Sequence, residues 1–186
     1  GVDEIATGYS SLQMMKRNGK EYVTKVMSLT ENINVPVQKD GRLPRNEGEI
    51  ALNKSWAKDQ GIKVGDTVTF KHDGSAGDRD GMKYLTEDTY LVTALVESPA
   101  YISYSLSSYG FANIGSGYIQ CLAFTAPQSF DTSAYPGYTQ AFIRSNMLRS
   151  SSTSDEEYMR LSQQLKDRIS ALGDNLARER YGMIWE

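Results

Sequence analysis

Residues 41–70, GRLPRNEGEIALNKSWAKDQGIKVGDTVTF, constrain the fold more than any other stretch, because turn chemistry, helix capping and strand alternation agree along its length. Gly41 and Pro44 mark an exposed turn. Glu49 then opens a short strand with Ile50 and Leu52 on one face. Asn53 stands where a helix N-cap is needed, its side-chain oxygen able to accept an orphan backbone N–H, and Trp56 and Ala57 form the buried stripe. Gly61 supplies the left-handed residue that ends the helix. Ile62 and Val64 return to the core, Gly65-Asp66 makes a tight turn, and Val68 and Phe70 share a face of the next strand. The order is strand, helix, turn, strand. None of these side chains is a nucleophile, a metal cluster or a phosphate cradle, so the stretch specifies architecture and no chemistry.

At 186 residues the chain suits one domain or two small ones. With 23% charged residues and a net charge of -3, it offers no electrostatic case for binding nucleic acid or an anionic membrane. One cysteine excludes an internal disulfide and leaves the compartment open. The longest apolar run, near residues 90–96, falls far short of the roughly 20 residues that span a bilayer. A start at Gly1 without methionine fits an excised fragment.

Residues 9–18 read as a short helix, with Leu12 and Met15 on one face and Asn18-Gly19 as its stop. Residues 22–29 read as a strand, with Val23 and Met27 flanking Lys25 on one face and Val26 on the other. Pro36 lacks an N–H, so the extended piece around it belongs at a sheet edge. A polar loop at 72–81 joins the strand ending at Phe70 to a long strand at 86–96, as a hairpin. Residues 100–117, rich in Tyr, Ser and Gly, form a long loop; 118–126 and 138–145 are strands, the latter with Phe142 inward, and 127–130 is a single helical turn. Ser154 and Glu157 make a capping box, and Tyr158, Leu161, Leu165, Ile169, Leu172 and Leu176 follow at helical spacing. This is the strongest helix in the chain, and its stripe is expected to pack against its own sheet.

The segment GRLPRNEGEIALNKSWAKDQGIKVGDTVTF resembles the stretch "GR-P-x-x-x-x-EI … A … G-hydrophobic-K-hydrophobic-GD-x-hydrophobic" in the extracytoplasmic domain of FtsX-like ABC transporter permeases, the family that includes MacB. VESPAYISYS, IGSGYIQCLAFTAPQSFD and YTQAFIR are similar to that family's "SP-x-Y-hydrophobic-S … IG-x-G … F … Y" segment. The resemblance implies an α+β fold in two parts. An α/β Porter-like part would be built from residues 1–41 and 137–186, and a β-rich Sabre-like part inserted at 42–136. It implies hinges at Gly41, Pro136 and Gly137, and both termini on one side. It also implies a location outside the cell membrane, with flanking transmembrane helices, a second permease subunit and a cytoplasmic ATP-binding subunit as partners, and with an unnamed transported substrate or extracellular protein. No enzyme activity, cofactor or nucleic-acid partner is implied, and the chain holds no G-x-x-x-x-G-K-[ST] of its own. The competing reading, from the GIKVGDTV turn alone, is a stand-alone β-barrel module that binds a small ligand or protein.

A hydrolase triad would have to use His72, the single histidine, and no serine sits in G-x-S-x-G. Cys121 lies among apolar neighbours, which favours a buried, inert thiol. Asp73, Asp78, Asp80 and Gly81 outline a calcium loop, but Thr89 stands where the twelfth-position Glu belongs. No catalytic or metal-binding residue is therefore assigned. Tyr101, Tyr104, Tyr109 and Phe111, interleaved with serines, have the chemistry of a recognition loop; a loop folded back over a sheet face needs the same aromatics.

Overall fold

The computed structural model describes residues 2–71, 84–101, 109–133, 137–148, 152 and 155–185. It is an α+β fold in two compact units, residues 5–142 and residues 1–4 with 143–186.

The larger unit is a ring of strands. β2 (Ser10–Arg17), β3 (Lys20–Ser28), β4 (Val37–Gly41), β5 (Glu49–Asn53), β6 (Thr67–Lys71), β7 (Thr89–Glu97) and β8 (Cys121–Thr125) line up as β4-β7-β5-β8-β3-β2-β6. β6 also pairs with β7, Thr67 opposite Leu91, which closes six strands on themselves and leaves β4 as the added edge. Closure removes the free N–H and C=O groups that an open sheet would present. Pro36 stands just before that edge strand, where a missing N–H costs no ladder bond.

β2 occupies the place where the sequence predicts a helix. Its residues include good helix formers, yet it pairs along its whole length with β3, from Ser10 opposite Met27 to Arg17 opposite Lys20. The turn decides the outcome. Asn18 (φ 51) and Gly19 (φ 72) both have positive φ, the two-residue turn whose twist matches a hairpin and which Asn-Gly favours. As a strand, β2 sends Met15 to one apolar cluster and Met14 to the other, a division no helix face could make.

The two clusters lie on opposite faces of the same strands. Ile50 and Leu52 of β5, Cys121 and Ala123 of β8, and Val26 of β3 belong to one; Ala51, Leu122, Phe124, Val23 and Met27 belong to the other. β5 and β8 are buried at every residue, which explains the apolar runs at Ile50, Ala51 and Leu52 and at residues 121–124. Fully buried side chains such as Tyr90, Ile50 and Leu52 each contribute roughly 1.5–3 kcal/mol of transfer free energy. α1 (Lys54–Asp59) closes the first cluster with Trp56 and Ala57, capped by Asn53, whose Oδ1 accepts the Trp56 N–H at 3.2 Å. Trp56 meets Tyr22 edge-on at 5.3 Å, and the Tyr22 hydroxyl donates to Gln60 Oε1 at 2.8 Å. Ile62 is buried as expected, but Val64 is 37% exposed. It falls in the short turn before Gly65 and Asp66, with its Cγ2 beside Gly41.

β1 (Val2–Gly8) pairs with β9 (Gln140–Ser145), and α2 (Glu156–Trp185) follows. Phe142 is half-buried and lines a small cleft together with Met27 and Phe124. The apolar stripe of α2 is not packed as the sequence leads one to expect. Tyr158, Leu161 and Leu165 are half-buried, but Ile169, Leu172 and Leu176 are exposed at 38%, 59% and 55%. α2 runs 30 residues, about 45 Å, and its half-buried stripe positions all fall in its first turns. None of the helices described is long and apolar enough to cross a membrane. Ser154, and the terminal residues Gly1 and Glu186 on which the placement of the chain ends rests, lie outside the described residues.

Candidate interaction surface

The GR-P-x-x-x-x-EI residues assemble into one cradle. β4 pairs with β7 through a bulge between Gln38 and Asp40, and Gly41, at its end, has φ +69 and lies opposite Ala94. A Cβ there would fall on the Thr93 carbonyl oxygen, so only glycine lets the backbone approach that closely. Arg42 N–H then donates to the same Thr93 oxygen at 2.8 Å. Its guanidinium reaches Glu49 through both ends, Nη1 to Oε2 at 2.8 Å and Nη2 to Oε1 at 2.5 Å. Glu49 also accepts the N–H groups of Arg45 (2.9 Å) and Asn46 (3.2 Å) and the Asn46 side-chain amide (3.2 Å). Pro44, predicted exposed, is buried.

Five donors on one carboxylate explain its electrostatics. The hydrogen-bonded Arg42 guanidinium holds Glu49 well below the usual carboxylate range, against the opposing effect of burial, with the Arg45 and Asn46 groups adding to it. Arg42 is shifted up in turn by the same hydrogen bond. The carboxylate has no open side for a substrate proton, so this perturbed group is a structural clasp.

Two of the sequence-predicted aromatics serve the core. Tyr101 and Tyr109 stack edge-on at 5.8 Å and pack against the second apolar cluster, and Lys25 Nζ donates to the Tyr101 hydroxyl at 3.1 Å. Phe111 differs: it is 76% exposed, and its ring lies 5.2 Å from that of Tyr118, which the sequence reading did not single out. Tyr104 and Pro136 lie outside the described residues. Gly137 is exposed with open space around it, and Gly41 is part of the β4–β7 ladder.

The IG-x-G residues also have a local explanation. Gly115 (φ +53) sits against Val23 and Met14, where a Cβ would come within 2.7 Å of Val23 Cγ2. The Gly117 N–H closes the turn on the Ile114 oxygen at 3.1 Å.

Cys121 is fully buried, and burial pushes its thiol far above the ordinary value, the reverse of what a nucleophile needs. His72, Asp73, Asp78, Asp80 and Gly81 lie outside the described residues. Among the described residues no group of three or more His, Cys, Asp or Glu is placed to hold a metal ion.

No protein-family profile matches the sequence, and no curated protein matches it. Among solved structures, the chain is similar to extracytoplasmic domains of transporters. One is the extracellular domain of the noncanonic ABC-type transporter YknZ from Gram-positive bacteria, with TM-score 0.46 and 9% identity over 89% of this chain and 78% of that one. Another is the periplasmic region of MacB from Actinobacillus actinomycetemcomitans, with TM-score 0.37 and 12% identity over 81% of this chain and 78% of that one.

Proposed function

We propose that this chain is the extracytoplasmic domain of an FtsX/MacB-type ABC transporter permease, inserted between membrane-spanning helices, and that it relays motion without catalysing a reaction. The observation that carries the reading is the 41–49 cradle. Of the positions that define the family-like segment, Gly41 lets the backbone close on Thr93, Arg42 bonds Glu49, and Pro44 is buried, so each has a structural use here.

In this reading a cytoplasmic subunit binds and hydrolyses ATP, paired permease subunits move, and the outer domains pass that motion to a transported substrate or an extracellular partner. A relay needs stiff parts and a bistable joint. The closed strand ring and the 30-residue α2 supply stiff parts. The joint is assigned to Gly137 with Pro136, and to Gly41 insofar as the β4 edge can part from β7. The Porter-like and Sabre-like division is part of the same proposal.

The test is the parent protein. Purified in detergent, it should carry apolar spans of about 20 residues on both sides of this segment and co-purify with an ATP-hydrolysing subunit. A parent without those spans would support the stand-alone barrel module instead.

A further inference from the structure

From Ser98 to Phe130 the chain carries no Asp, Glu, Lys, Arg or His, although charged residues make up 23% of it. Burial accounts for part of this run, since β8 is buried throughout. It does not account for residues 110–120. There the Ala112 N–H donates to the Gly117 oxygen at 3.0 Å, the Ile119 N–H donates to the Gly110 oxygen at 3.1 Å, and Phe111 and Tyr118 form an antiparallel rung. The segment is a small hairpin laid on the sheet. Ala112, Ile114 and Ile119 turn inward to the second apolar cluster, while Phe111, Asn113, Ser116 and Tyr118 are exposed.

The hairpin is firmly seated. Gly115 lies against Met14 and Val23, and Gln120 Oε1 accepts the Val23 N–H at 2.9 Å. The two outward rings, 76% and 45% exposed with planes at 42°, are thus held by the backbone beneath them and lose little freedom on meeting a ligand.

We propose that the outward side of this hairpin, Phe111 and Tyr118 with Asn113 and Ser116, binds a neutral, hydroxyl-rich chain of the oligosaccharide class. An aromatic face takes the C–H face of a pyranose, the Asn113 amide can donate to and accept from its hydroxyls, and the Ser116 hydroxyl, whose proton is given to the Tyr118 carbonyl oxygen or Gln120 Oε1, can accept from them. Charge selects among ligands. A nucleic acid or acidic polymer is met by Lys and Arg, and this side of the hairpin has none. The proposal does not rest on the transporter reading.

The test titrates the full chain with neutral hexasaccharides of glucose and of N-acetylglucosamine, followed by saturation-transfer NMR. Saturable millimolar binding to at least one is expected, weakened about tenfold by Phe111→Ala or Tyr118→Ala. Affinity should hold when salt rises from about 0.05 to about 0.5 M. Phe111→Leu keeps an apolar side chain on the hairpin and removes the ring, so the same loss there, with an unchanged amide spectrum, assigns the effect to stacking. The proposal is overturned by no saturable binding up to about 20 mM, a range that admits even weak sites. Binding that none of the three variants changes, or a preference for an acidic oligosaccharide that fades with salt, also overturns it.

Discussion

Arg42 and Glu49 hold a two-pronged ion pair across seven residues, and the same carboxylate fastens the backbone of Arg45 and Asn46. Replacing Glu49 with Gln keeps the shape but removes the charge that strengthens those bonds, and it presents an NH2 to donors. We expect Glu49→Gln to destabilise the chain by about 2 kcal/mol, and Glu49→Ala by more, in urea unfolding at neutral pH. Loss below about 0.5 kcal/mol for both would show that the clasp does not hold the loop.

Stability should fall at both ends of the pH scale, for two separate reasons. Glu49 titrates lower folded than unfolded, so its contribution is complete above its ordinary value of 4.5 and is lost as pH falls from there through the folded value. Burial raises the Tyr90 phenol from 10.0 to about 12, so its contribution is present below 10.0 and is lost as pH rises toward 12. Melting temperature followed across pH should show the acid arm shrink in Glu49→Gln and the alkaline arm shrink in Tyr90→Phe.

Gly41 and Gly137 are both sequence-predicted hinge positions, yet their surroundings differ. Gly41→Ala drives a Cβ onto the Thr93 oxygen at a positive φ and should cost about 3 kcal/mol. Gly137→Ala meets open space and should stay within about 0.5 kcal/mol. Denaturant midpoints of the two variants check this directly, and equal losses would contradict it.

Cys121 should be silent toward thiol reagents in the native chain. Its Sγ is buried and its thiol is pushed up by burial, so labelling requires opening. Reaction with a maleimide should become rapid only in denaturant; fast labelling of the native chain would place the residue at an accessible surface.

Residues 49–70 were readable from sequence because each local signal agreed with its neighbour. Asn53 caps the helix, Trp56 and Ala57 are buried, and Val68 and Phe70 share the interior face. Residues 9–18 read as a helix because Leu12 and Met15 have helical spacing and Asn18-Gly19 fits a helix stop; the same Asn-Gly pair is a hairpin turn, and it joins β2 to β3. The α2 stripe is legible, but Ile169, Leu172 and Leu176 are exposed, and spacing alone does not reveal which turns of a helix are covered. Phe111 was singled out without Tyr118, since their rung depends on the turn between them. The closing of the ring through β6 and β7 is a non-local pairing that no window of sequence contains.

The most direct test of the central claim, that this chain is a membrane permease's outer domain, is labelling of the parent protein in intact cells. A cysteine placed at exposed Lys58, beside a silent Cys121, should react with a membrane-impermeant maleimide before lysis, on a protein found in the membrane fraction. Labelling only after lysis, or recovery of the parent as a soluble protein, would contradict the account.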